Sequence, residues 1–418
     1  MRRFTEIIVC TAMFAISTRC FLLQGVFLPI QVSAGSMAES WYGPHRDFVC
    51  PACGFTYRGG IDRPPSDGAT TCPNCRHIGP EFNTQPERPG DGMLIDRVSF
   101  AYRAPRRWET VVFRCPDNAA RYCIKRVVGL PGEVIQIIDG DVYVNESIAV
   151  KELEAQRSCR ILVHDARFAP RKLLAGAPRW NVSGNWQLDT ISKAFAHASN
   201  AESVKQEIHW LPFQPGISGG LTDDYAYNQG ESRRLASVND LMLTGKVTAQ
   251  STGELWFRVG STETHYDVCV SLESGAIRLI GDRQTMVATE YGELAGHEFE
   301  FEFSTFDRHA TFAINRRRII QCPLGASLRA SPQSPWSLSI GARGGKVELR
   351  RLQVYRDIYY TAPRIANTPS DPSARVRLAD DEFFVLGDNS PISDDSRTFG
   401  HAGIPLRMLV GKPWKLLW

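Results

Sequence analysis

Apolar positions dominate the start of the chain. Met1-Arg2-Arg3 leads into a mostly apolar run from Phe4 to Thr18, broken by Glu6 and closed by Arg19, and a second apolar stretch runs from Cys20 to Val32. A helix of about 15 residues rises roughly 22 Å, short of the ~30 Å hydrocarbon core, so a spanning segment must thin the bilayer or let Arg19 snorkel. The pattern predicts a membrane anchor over residues 1–19, with Arg2 and Arg3 cytoplasmic and the rest of the chain outside. Val32-Ser33-Ala34 also fits a signal-cleavage site, although it lies far from the first apolar run for a cleavable leader.

Between about 155 and 365 the pattern changes to alternation with period two. Glu254–Val259, Ala276–Ile280, His297–Phe303, Ala310–Asn315 and Lys346–Leu352 each place apolar residues on one face, with turn signals between them. Regular short strands of this kind predict a β-sandwich and a mainly β protein. At 418 residues the chain is long enough for two or three domains. With 48 Lys and Arg against 45 Asp and Glu, it lacks the excess basicity of a broad phosphate-gripping surface, so no nucleic-acid partner is expected. A mean hydropathy of -0.23 excludes a polytopic membrane protein.

Eleven cysteines, an odd number, fit a simple disulfide framework poorly. Four of them form Cys50-Pro51-Ala52-Cys53 and Cys72-Pro73-Asn74-Cys75, two knuckles with the spacing of a zinc ribbon. Structural zinc on Cys50, Cys53, Cys72 and Cys75 is the expected cofactor, two disulfides being the alternative outside the cytoplasm. No cofactor is expected in catalysis. Acids such as Asp223, Asp224 and Asp357 are too scattered in the sequence to suggest a calcium site.

Three separated segments carry chemistry: Ala34-Gly35-Ser36-Met37, Cys123-Ile124-Lys125-Arg126-Val127-Val128-Gly129-Leu130-Pro131-Gly132-Glu133, and Leu386-Gly387-Asp388-Asn389-Ser390-Pro391-Ile392-Ser393-Asp394-Asp395-Ser396-Arg397. A serine hydroxyl attacks a carbonyl only if a base removes its proton, and a lysine serves as base only when burial or a nearby cation lowers its pKa. Lys125 lies between apolar pairs, and strand alternation puts it on one face with Cys123 and Val127 while Arg126 points the other way.

In this order, and following an N-terminal apolar segment, the three motifs resemble bacterial type I signal peptidase, a Ser/Lys-dyad endopeptidase of the membrane surface. Gly90–Asp96 and Thr110–Arg114 also look like that family's segments. The resemblance implies Ser36 as nucleophile, Lys125 as general base, and Ser393 holding the lysine amine. It implies Asp395 and Arg397 as an ion pair behind the site, and Gly387, Asp388 and Asn389 as its supporting turn. Ile30, Val32, Met37, Trp41, Cys123 and Ile124 match positions lining, or beside, shallow apolar pockets for small side chains. The Ser36 N–H is the first oxyanion donor. The serine that supplies a second donor in some members is here Ala34, and Glu39 replaces a usual proline.

The implied architecture is a signal-peptidase-like β catalytic domain behind a membrane anchor, split by a zinc ribbon and a jelly-roll-like β-sandwich. Its parts are 1–19 (anchor), 20–46, 81–154 and 366–418 (catalytic), 47–80 (ribbon) and 155–365 (sandwich). The sandwich loosely resembles concanavalin- or laminin-G-like jelly rolls; a glycan or protein ligand and a purely structural role fit it equally. The resemblance further implies exported preproteins with Ala-x-Ala signal peptides as substrates, a lipid bilayer as partner, and a single-pass position in the cytoplasmic membrane with catalysis on its outer side. A self-cleaving Ser/Lys protease of the SOS-repressor kind, and a membrane-tethered binding protein with a lectin-like sandwich, are the competing functions.

Overall fold

The computed structural model describes residues 2–170, 179–199, 207–215, 220–261, 264–325, 336–361 and 374–415. The expected return from the sandwich at 365–366 lies outside them. Strands dominate, as the alternating pattern predicts.

Helix Arg2–Cys20 carries Phe4, Ile7, Met13, Phe14 and Ile16 exposed, then continues as the π-helical segment Phe21–Val26 into strand Phe27–Gln31. Among the described residues no helix is long and apolar enough to cross a membrane.

Strand Phe27–Gln31 is the edge of a seven-stranded sheet that continues through Gly92–Asp96, Leu409–Lys415, Thr110–Arg114, Tyr122–Gly129, Glu382–Leu386 and Ile404–Pro405. Chain segments far apart in sequence are therefore neighbours in one antiparallel sheet. Its register pairs Val111 with Lys125 and Leu386 with Arg126, which brings the turn after Leu386 beside the lysine. Val32, Met37, Trp41, Met93, Ile95 and Val112 bury one face, and Val111, Phe113, Val127, Phe383, Val385 and Ile404 the other. Alternation along each strand feeds both layers. A disulfide joins Cys115 to Cys123 across the hairpin.

Two further sheets face each other over a large apolar core. Lys346–Arg356 and Leu241–Ala249 run through the middle of an eight-stranded sheet, and Ser337–Arg343 and Glu254–Gly260 through a six-stranded one. Phe257, Phe301 and Phe312 interlock between them, with Phe257 and Phe301 ring centroids 4.4 Å apart. Ile161 pairs with Arg356, so the outgoing and returning strands are neighbours.

This region does not hang free of the seven-stranded sheet. The buried amine of Lys151 bonds Asp307 at 2.6 Å and Asp357 at 2.7 Å, and lies 4.3 Å from the Trp108 ring centre. Carboxylate oxygens of Asp141, Asp240 and Asp307 lie within 4.8 Å of one another, so acids do cluster here. Of the three acids expected to be scattered, Asp357 lies at this cluster, bonded to the same Lys151 amine as Asp307, whereas Asp223 pairs with Arg233 and Asp224 with Arg76. Sequence distance hides this cluster because its members come from both sides of the expected boundary.

Candidate active site

The loop that carries Ser36 is held from beneath by the turn after Leu386. The Asn389 backbone N–H donates to Ser36 O at 3.0 Å, and its side-chain Nδ2 donates to Gly35 O at 2.9 Å. Gly387 must lack a side chain: a Cβ there would collide with Ser36 O and the Ser393 side chain. Asp388 accepts from Ser40 Oγ at 2.5 Å, and its N–H meets Met37 Sδ at 3.3 Å.

Lys125 reaches Ser36 from the adjacent strand, Nζ to Oγ 2.5 Å. The lysine is only 4% exposed. Burial disfavours its ammonium form and lowers its pKa from the ordinary 10.5 to about 8, with Arg397 pushing the same way and Asp395 opposing. Arg397 grips Asp395 with two hydrogen bonds of 2.8 and 2.7 Å, and the Gly387 N–H donates to the same carboxylate at 2.9 Å. That pairing keeps the Asp395 carboxyl below its usual range despite complete burial.

Arg126 faces the opposite side of the strand, as alternation requires. It forms a buried ion pair with Asp388, 2.7 Å from Nε and 2.5 Å from Nη2, and also donates to Trp108 O and Ser158 O. No partner for Arg126 is legible in the sequence, because these groups lie on other elements.

Ser393 is buried but makes no hydrogen bond to the lysine. Its Oγ has no hydrogen-bond partner among the described residues and lies over Gly387, while the amine turns to Ser36. The expected Ser393–Lys125 hydrogen bond is therefore not made in this structure.

A cleft of about 480 Å³ opens beside Ser36 and Lys125. Ile30, Val32, Cys123 and Ile124 line it together with Ser36 and Lys125. Met37 and Trp41 lie beneath it as core residues, not in its wall. Sequence reasoning missed Asp62 and Arg63, which reach the cleft from the loop after strand Thr56–Gly60, and Arg121 and Asp394, which add further charge. It also missed Tyr225, Tyr227 and Asn228. Tyr225 OH donates to Asp388 O at 2.7 Å, Tyr227 OH donates to Pro44 O at 2.8 Å, and the Asn228 amide pairs with that of Asn389. Their only sequence signal is Tyr225-Ala226-Tyr227-Asn228 itself, an aromatic and amide cluster without strand alternation.

The Cys50, Cys53, Cys72 and Cys75 side chains are free thiols gathered within 4.8 Å, with Sγ separations of 3.6 Å for Cys50–Cys75 and 3.7 Å for Cys53–Cys72. Four thiolates about 2.3 Å from one tetrahedral zinc lie roughly 3.8 Å apart, so the donor set fits that ion.

Residues 79–203 match the family model for signal peptidase, peptidase S26. Segments of the chain are similar to probable signal peptidase I-2 of Synechocystis, 40% identical over 60 residues, covering 13% of this chain and 28% of that protein. They are also similar to signal peptidase I V of Bacillus subtilis, 39% identical over 56 residues, covering 13% and 32%. These likenesses support the signal peptidase family. The chain spans less than a third of the length of either relative. The matched region includes Lys125 but not Ser36 or the turn at 387–397. Among solved structures, the chain is similar to a carbohydrate-binding module, CBM66, from Bacillus subtilis, 8% identical, with a TM-score of 0.29 over 42% of this chain and 94% of that one. It is likewise similar to galectin LEC-6 of Caenorhabditis elegans, 12% identical, with a TM-score of 0.23 over 36% and 91%.

Proposed function

We propose that the chain is a membrane-attached serine endopeptidase of the signal peptidase I kind, removing signal peptides from exported preproteins through Ser36 and Lys125. The observation that carries this reading is the 2.5 Å contact between Lys125 Nζ and Ser36 Oγ beside an apolar-walled cleft. An extended substrate adds to edge strand Phe27–Gln31 through main-chain hydrogen bonds, and small side chains enter between Ile30, Val32, Cys123 and Ile124.

Neutral Lys125 takes the hydroxyl proton as Ser36 Oγ bonds to the scissile carbonyl carbon. Negative charge develops on the carbonyl oxygen, where the Ser36 N–H stabilises it. The Lys125 ammonium then protonates the leaving amine, the C–N bond breaks, and the mature protein departs with the signal peptide esterified to Ser36. Water, deprotonated by Lys125, attacks the ester, and the proton returns to the Ser36 oxygen as the signal peptide leaves as an acid.

The helix from Arg2 and the apolar segment after it supply the bilayer attachment, and catalysis proceeds on the outer side of the cytoplasmic membrane. The Cys115–Cys123 disulfide supports that oxidising side. Structural zinc on the four cysteines holds the ribbon that carries Asp62 and Arg63 to the cleft. The test is incubation of the purified chain with a preprotein bearing an Ala-x-Ala site. Cleavage at that site, lost in both Ser36→Ala and Lys125→Ala, is the expected result, and cleavage by either variant refutes the dyad.

A further inference from the structure

We propose that Asn228, supplied from within the long insertion, is a positioning residue for the oxyanion donor of Ser36. The inference rests on the Ser/Lys reading above. A peptide group is planar and trans, so the Gly35 carbonyl and the Ser36 N–H point in opposite directions from one rigid plate. Whatever fixes the Gly35 oxygen therefore aims the Ser36 N–H. Two donors do this, Asn389 Nδ2 at 2.9 Å and the Ala38 N–H of the same loop at 3.0 Å; Asn389 is the one that ties the plate to the rest of the fold, and its backbone N–H pins the next peptide through Ser36 O at 3.0 Å.

An amide side chain can present either its nitrogen or its oxygen, and an oxygen turned toward Gly35 O would repel it. Asn228 decides between them. Its Oδ1 accepts the second Asn389 Nδ2 proton at 2.8 Å, and its own Nδ2 donates to Asn389 Oδ1. Turning the Asn389 amide alone breaks both of these bonds as well as the one to Gly35. Asn389 is fully buried and Asn228 is 7% exposed, so a polar group that loses its partner here pays a desolvation cost. The turn Ala226–Asn228 is itself fixed on both sides of the site. Tyr225 OH bonds Asp388 O, and the Tyr227 ring lies against Gly35, where a Cβ would collide with it. Asn228 touches neither the dyad nor the cleft wall, and it acts through Asn389.

The experiment uses the full chain with Asn228→Ala, the isosteric Asn228→Asp, Asn389→Ala and the Asn228→Ala/Asn389→Ala double variant, each checked for a cooperative melt. On a peptide with an Ala-x-Ala site, kcat for either Asn228 variant should fall about tenfold or more, since a misaimed oxyanion donor costs rate and not binding. KM should stay within about twofold and the midpoint of the acid limb should not move. The double variant should be no slower than Asn389→Ala. An unchanged kcat, or losses that multiply in the double variant, overturns the proposal. In serine-labelled protein the Ser36 amide resonance should shift in Asn228→Asp, and an unmoved resonance overturns it too. If the wild-type chain cleaves no peptide, the peptidase reading fails by itself while the resonance still decides whether Asn228 orients this amide.

Discussion

Titration of Lys125 offers a direct quantitative test of the catalytic reading. At the ordinary lysine pKa of 10.5, roughly 0.03% of the amine is neutral at pH 7; at about 8, roughly 10% is, a gain of about 300-fold in competent base. Burial is the main cause, since only 4% of the residue is exposed and desolvation disfavours the charged form. The sign follows directly: the base must be neutral, so activity rises with pH through the folded pKa and falls on the acid side. Initial rates on a peptide with an Ala-x-Ala site, at low substrate and from about pH 5 to 10, should give log(kcat/KM) rising by about one per pH unit and levelling near 8. Melting should be followed over the same range, so that loss of fold is not taken for loss of base. A flat profile from pH 5 to 9 in folded protein refutes lysine as the base, and a midpoint near 10 refutes the argument from burial.

Ser36→Ala and Lys125→Ala should each lower cleavage by several orders of magnitude and leave the melting temperature within a few degrees, as mass spectrometry of products and circular dichroism would measure. Metal analysis of the purified chain should find about one zinc per chain, lost in Cys50→Ser together with a cooperative part of the melt; four thiols paired as disulfides without metal would refute this. Arg126→Met should destabilise by about 3–5 kcal/mol in urea denaturation, because it leaves Asp388 charged and buried without its partner. Replacing residues 160–362 with a Gly/Ser linker should abolish cleavage even of a short peptide, because the deletion removes Tyr225, Tyr227 and Asn228 from beneath the nucleophile loop and Asp307 and Asp357 from Lys151; retained activity would show that these contacts are dispensable.

What the sequence discloses here follows range. Lys125 could be read as a strand residue sharing a face with Cys123 and Val127 because alternation is local, and the sandwich strands were legible for the same reason. The Cys-x-x-Cys knuckles were legible because each carries its own turn. Arg126 was seen to point away from Lys125, but its partner Asp388 lies 262 residues on, and no local pattern tells which loop covers that face. Asn228 and Asn389 are 161 residues apart, Asn228 at the end of a single 3-10 turn and Asn389 outside any helix or strand, so their pairing had no period to announce it. Ser393 shows the converse limit. A motif placed it near the lysine, yet its hydroxyl lies over Gly387 and the amine turns to Ser36.

The charges around the dyad explain how an amine stays basic enough to work and neutral enough to start. Asp395, Asp394 and Asp388 all favour the Lys125 ammonium, and a lysine directly paired with one of them would keep its proton. Two of the three carboxylates are occupied by arginines. Asp395 is gripped by Arg397 and Asp388 by Arg126, the latter from the opposite face of the lysine's own strand. Asp394 is exposed to solvent, which screens it. Because guanidinium groups stay charged and bind carboxylates through two parallel hydrogen bonds, they satisfy these acids more completely than a single ammonium can. Lys125 is left with burial, which favours its neutral form, and with a hydroxyl at 2.5 Å as its hydrogen-bond partner. On the proposed reading, burial lowers the lysine pKa, and the arginines let it do so by occupying the anions that would otherwise hold the proton.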